Sequence, residues 1–166
     1  MPDVVRPKLF MFLAIFNLIL KIAENITVNI YGDGALKSDF VQAVADNGLE
    51  DILLVHGFES DKQKIFSRND SLLLMSKSEG FPLVLLEAYA CGKPVIVFDS
   101  FTAAKDLVAH GQTGFLLPYG DYQGVVAAVK QASHIEQTNV KAMFERFSNQ
   151  RVFAEWDKLI GELDEL

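Results

Sequence analysis

Residues 9–20, LFMFLAIFNLIL, contain one polar side chain, Asn17, and Lys21 and Glu24 follow it at i+4 and i+7. Polar positions on one narrow stripe of an otherwise apolar segment predict a mostly buried helix. Twelve residues cover about 18 Å at the helical rise, against roughly 30 Å of bilayer hydrocarbon. Arg6 and Lys8 precede the segment as they would in a secretory signal, but no small-residue cleavage site follows it, so a buried helix is favoured over the alternative of a signal or anchor. From Ile26 the period changes: Ile26, Val28 and Ile30 alternate with Thr27, Asn29 and Tyr31, and Gly32-Asp33-Gly34 ends the run. That pattern predicts a strand and a turn. Leu36, Phe40, Val41 and Val44 then recur at helical spacing before Gly48, predicting a helix over 35–47.

The same alternation continues along the chain. A short apolar run at 52–55 is stopped by His56-Gly57, and Asp61 opens a short helix through Ile65 and Phe66. Residues 71–76 (SLLLMS) predict a strand, 83–90 a helix, 94–98 (PVIVF) a strand rich in β-branched residues and 114–117 another strand. Helices are predicted over 121–133 and 139–163, the latter broken at Ser148-Asn149. Strands apolar on both faces and separated by helices imply a parallel sheet covered on both sides by right-handed crossovers. The expected fold class is therefore α/β, a doubly wound parallel sheet with helices on both faces and a C-terminal helical tail.

Length and charge narrow the partners. The 166 residues suit one domain, since compact domains run to about 100–200 residues. Half the residues are hydrophobic and 22% charged, unlike a disordered chain. A formal charge of −7 repels phosphodiester backbones and anionic lipid, which argues against nucleic acid and leaves at most peripheral membrane contact. Cys91 is the only cysteine, so no disulfide can form within the chain and a reducing compartment, the cytoplasm, is expected.

Ligands of such sheets bind beyond the carboxyl ends of the strands, where three loops draw attention. Gly32-Asp33-Gly34-Ala35-Leu36-Lys37 begins like a dinucleotide fingerprint but has Lys37 in place of the third glycine. It reads either as a tight turn or as a glycine floor, Gly32 and Gly34, under a ligand. In Ser76-Lys77-Ser78-Glu79-Gly80-Phe81-Pro82, Pro82 suits a first helical position and leaves the amides of Leu83 and Val84 facing outward. A helix N-terminus with free donors and partial positive charge can take a phosphate, and Gly80 allows close approach. Glu87 lies one turn inside that helix and leans back toward its start, where two carboxylate oxygens suit a ribose diol. The bland alternatives are a favourable charge at a helix start for Glu79 and an acid on an exposed face for Glu87. In the third loop, Asp99-Ser100-Phe101-Thr102-Ala103, Thr102 either contacts a phosphate or sugar hydroxyl or is plain surface.

Taken in order, these residues resemble a family. Glu79-Gly80-Phe81-Pro82-Leu83-Val84-Leu85-Leu86-Glu87-Ala88 resembles the signature of retaining nucleotide-sugar glycosyltransferases of the GT-B fold, glycosyltransferase family 4. Ile30-Tyr31-Gly32-Asp33-Gly34, Val55-His56-Gly57-Phe58, Gly92-Lys93-Pro94-Val95-Ile96 and Gly111-Gln112-Thr113-Gly114-Phe115-Leu116 are similar to its other turns, over roughly residues 6–160. The resemblance implies one Rossmann-like half of a GT-B fold, the nucleotide-sugar-binding domain over 1–166, without the N-terminal acceptor domain and inactive by itself. It also implies that the chain starts after the domain's opening strand, with Arg6-Pro7-Lys8 nearest the family's diphosphate-binding cations.

In that reading Glu87 holds the ribose. The amides near Phe81, Pro82, Leu83 and Val84 meet the diphosphate and sugar, and Glu79, the catalytic residue, orients the transferred hexose beside the developing positive charge. The donor is expected to be a nucleoside diphosphate sugar, a UDP-sugar, with no other cofactor. Metal dependence is not expected, because the sequence has no Asp-x-Asp pair to bridge a divalent ion. The full-length protein would be a hexosyltransferase acting in polysaccharide biosynthesis on a glycan, lipid or cell-surface polymer, in the cytoplasm at the inner membrane face. The alternatives are half of a sugar-nucleotide epimerase of the same fold and a non-catalytic scaffold domain.

Overall fold

The computed structural model describes residues 26–164, and among these five parallel strands carry the fold. The predicted helix over 9–20, Arg6 and Lys8 lie outside the described residues. The strands are β1 (Val28–Tyr31), β2 (Leu53–Gly57), β3 (Leu72–Leu74), β4 (Val95–Asp99) and β5 (Gly114–Pro118). The helices are α1 (Lys37–Asp46), α2 (Lys62–Ser67), α3 (Leu83–Ala90), α4 (Ala104–Leu107), α5 (Tyr122–Ala132), α6 (Gln137–Glu145) and α7 (Asn149–Asp164). Strand and helix alternate to β5, as the change of period between segments predicts.

β4 explains why the fold has two helical layers. All of Val95, Ile96, Val97 and Phe98 are buried, and successive side chains of a strand point to opposite faces. Ile96 and Phe98 join Val44 of α1, Leu53 of β2 and Val125, Val126 and Ala128 of α5. Val95 and Val97 join Phe66 of α2, Leu85, Ala88 and Tyr89 of α3, Leu107 of α4 and Val140 and Met143 of α6. One strand thus contributes to both cores. Each fully buried aliphatic side chain of this kind is worth about 1.5–3 kcal/mol of transfer free energy.

Among the described residues the strands pair in two sheets. β1 pairs with β2, and β3-β4-β5 form the other sheet, every pair being parallel. Both sheets nevertheless share a core, since Val28, Ile30 and Leu73 pack against the same buried cluster. Between β1 and β3 lies a cleft of about 340 Å³, with residues of α2 and α3 also on its walls. A side-chain bond from Asn29 Nδ2 to Asn69 Oδ1, 2.9 Å, bridges from β1 to the approach of β3.

Helix α3 is held firmly. Leu85, Ala88 and Tyr89 have no exposed surface, and the Tyr89 hydroxyl donates to the Leu107 carbonyl at 2.9 Å. Burial pushes the Tyr89 pKa up to about 12, so this hydroxyl stays a neutral donor. The loop that α3 starts from is therefore mounted on a rigid element. Helix α7 is different: Phe153, Trp156, Leu159 and Ile160 are all substantially exposed along it. Among the described residues, no helix is long and apolar enough to cross a membrane.

Candidate functional site

The carboxyl end of β1 runs into the glycine turn. Gly32 N–H donates to the Gly57 carbonyl at 2.8 Å, extending the β1–β2 pairing into the loop, and Lys37 N–H closes the turn on the Gly34 carbonyl at 3.1 Å. Gly32 and Gly34 have φ of 155° and 159°, and nothing lies within 4 Å of where a Cβ would stand on either. Both glycines are exposed, with open space over them. Lys37, which occupies the place of a third glycine, is the first residue of α1. Its Nζ lies 2.8 Å from where a Cβ on Gly57 would stand, so Gly57 leaves the room that this ammonium fills.

The loop before α3 has the features its residues require. Pro82, buried, is the N-cap residue with an extended ψ of 92°, one place ahead of the first helical position its sequence suits, which Leu83 takes; Leu85 N–H donates to the Pro82 carbonyl at 3.0 Å. The amides of Leu83 and Val84 make no hydrogen bond to a described residue, as expected of the first turn of a helix. Gly80 is exposed with nothing within 4 Å of a hypothetical Cβ, so the backbone here is open to an approaching group. Leu83 is 64% exposed and Phe81 48%, Phe81 meeting Phe147 edge to face at 6.1 Å between centroids. Glu79 is half-buried on the same loop.

A contact that sequence reasoning missed joins this loop to the next. Ser100 Oγ donates to the Ser76 carbonyl at 2.6 Å, fastening the end of β4 to the exit of β3. Lys105 Nζ reaches Asp99 Oδ2 at 3.2 Å across the following turn. Thr102 is exposed beside it, ahead of the four-residue α4. Nothing in the local pattern around Ser100 distinguishes it from an ordinary loop serine, because its partner lies on another strand.

Glu87 faces a different wall. With Val84 it lines the cleft between β1 and β3, together with Tyr31, Lys62 and Asn69, whereas Glu79 to Leu83 do not. Its Oε2 is shut off from solvent without an aligned hydrogen bond, and the Lys62 ammonium stands 3.2 Å from it. The two form an ion pair, because charge attraction at that separation does not need the angular alignment of a hydrogen bond. Glu87 and the end of β1 thus share one cleft, adjacent along α3 to the open amides. Tyr31 stacks on His56 at 4.7 Å, and His56 Nε2 lies 2.6 Å from Asn29 Oδ1, giving this cleft a polar edge that the strand pattern alone does not reveal. Among the described residues, no group of three His, Cys, Asp or Glu side chains is placed to hold a metal ion.

Residues 5–134 match the family model described as glycosyl transferases group 1. The N-acetyl-alpha-D-glucosaminyl L-malate synthase of Bacillus anthracis is 28% identical over 137 residues, covering 78% of this chain and 36% of that protein. The lipopolysaccharide outer core galactosyltransferase WaaB, in its apo form, superposes with a TM-score of 0.78 at 23% identity, over 93% of this chain and 45% of that one. The pneumococcal O-GlcNAc transferase GtfA, solved in complex with UDP and GlcNAc, gives a TM-score of 0.74 at 25% identity, over 92% of this chain and 32% of its own. The chain thus spans less than half the length of each of these proteins.

Proposed function

Because the chain belongs to the glycosyl transferases group 1, we propose that it forms the nucleotide-sugar-binding domain of a retaining hexosyltransferase whose donor is a UDP-sugar. The observation that carries this reading is the start of α3, where the unpaired amides of Leu83 and Val84 stand beside the open backbone of Gly80. Cleavage of a sugar–phosphate bond leaves an anionic nucleoside diphosphate. Backbone donors fixed on a buried helix stabilise that charge without having to reorganise. Glu87, one turn further on, accepts from the ribose, and Glu79 on the loop faces the hexose as positive charge develops at its anomeric carbon. Gly32, Gly34 and Thr102 border the donor from the neighbouring strand ends. Arg6 and Lys8 are proposed as cations for the diphosphate. The acceptor is bound by polypeptide outside these residues, in a protein of polysaccharide biosynthesis working at the inner membrane face. The pneumococcal relative solved with UDP and GlcNAc supports the choice of donor.

The test is thermal. UDP at about a hundred times its Kd stabilises a folded binder by about 2.7 kcal/mol, which raises the melting temperature by several degrees in a domain of this size. A folded chain whose melting temperature UDP leaves unmoved contradicts the proposal.

A further inference from the structure

We infer that Lys62 is a positioning residue for nucleotide recognition, holding Oε2 of Glu87 so that Oε1 accepts from the ribose, one oxygen rather than the two that the residue type alone suggests. The inference rests on the ribose reading of Glu87. Lys62 opens α2, whose start is fixed by Asp61 accepting from Lys64 N–H at 3.0 Å and whose far end is anchored by buried Phe66. From there its Nζ reaches 3.2 Å from Glu87 Oε2, and both side chains line the cleft between β1 and β3. The neighbouring cation on α2, Lys64, is engaged with Glu59 instead. Oε2 is closed to solvent and makes no aligned hydrogen bond, so the ammonium is its compensating partner among the described residues. A carboxylate held at one oxygen cannot rotate freely about its last torsion. Its remaining oxygen, Oε1, is then aimed, and the entropy of aiming it is lost on folding, before any ligand arrives. Without Lys62, Oε2 is left buried and unpaired, and the group must turn to find water.

The pair is half exposed, 49% for Lys62 and 35% for Glu87, so it contributes little to folding and its removal leaves the domain folded. The experiment measures Kd for UDP and for 2′,3′-dideoxy-UDP by calorimetry on the full chain and on Lys62→Met and Lys62→Arg. The native protein is expected to prefer UDP by roughly tenfold or more, the effect of hydrogen bonds to a charged acceptor. Lys62→Met brings that ratio below about threefold while the dideoxy analogue binds as before, and Lys62→Arg restores it. If Lys62→Met weakens both ligands equally, the ammonium acts on the diphosphate and the inference is overturned; an unchanged ratio overturns it too. A native protein that does not prefer UDP refutes the ribose reading itself, and with it this inference, whereas a native preference that survives in Lys62→Met refutes the inference alone. The unliganded melting temperature checks folding, and Lys62→Gln supplies the same ratio should the methionine variant not fold.

Discussion

Gly114→Val disrupts the sheet and costs the domain much of its stability. Gly114 pairs with Val95 in the β4–β5 ladder, and a Cβ placed on it would stand 2.1 Å from the Val95 carbonyl oxygen and 2.9 Å from Val95 Cγ2. The first obstacle is backbone in a central strand buried on both faces, so it cannot swing away as a flexible side chain would. β5 must move instead, and with it Leu117, which packs against Phe98 and α5. Overpacking of cores costs about 1–3 kcal/mol where neighbours can adjust, and more where they cannot. A loss above about 3 kcal/mol is expected here, a large part of the roughly 5–15 kcal/mol that holds a domain together. Urea unfolding reads it as a lowered midpoint, and a midpoint equal to that of the native chain would show that β5 tolerates the added atoms.

Glu87→Ala has the largest expected effect on binding. The substitution removes the proposed acceptor for the ribose and leaves Lys62 without its partner, in a cleft that the nucleotide would then enter with an uncompensated cation. Hydrogen bonds to a charged group contribute about 1.5–3 kcal/mol, so UDP affinity should fall roughly 10- to 150-fold. Fold stability changes little, because the lost ion pair is half exposed. Glu87→Gln keeps the shape and one carbonyl acceptor and should fall between the two. Calorimetric titration with UDP decides this, and equal affinity in the native and alanine proteins would remove Glu87 from the site.

What could be read from the sequence was what local chemistry dictates. The helix predicted over 83–90 matches α3 because Pro82 before it and Gly92 after it punctuate the chain, and Gly92 has a φ of 69° that few other residues adopt. The strand predicted over 71–76 is shorter, Leu72–Leu74, since Met75 and Ser76 already belong to the exit that Ser100 fastens. The sheet was legible as parallel but not as divided, among the described residues, between β1 and β3, because pairing is settled between segments distant in sequence. Glu79 and Glu87 looked like two acids for one hollow. The structure places Glu87 on the cleft wall beside Lys62, with Glu79 on the loop ahead of the helix. A helical wheel shows that Glu87 needs a partner. It does not show that a lysine from α2 provides one.

The most direct measurement follows the backbone amides at the start of α3 by nuclear magnetic resonance as UDP is added. The Leu83 and Val84 signals, whose N–H groups have no acceptor among the described residues, should shift saturably and at the same midpoint as the calorimetric Kd. Shifts confined to other segments, with Leu83 and Val84 unmoved at saturation, would place the diphosphate elsewhere and contradict the account.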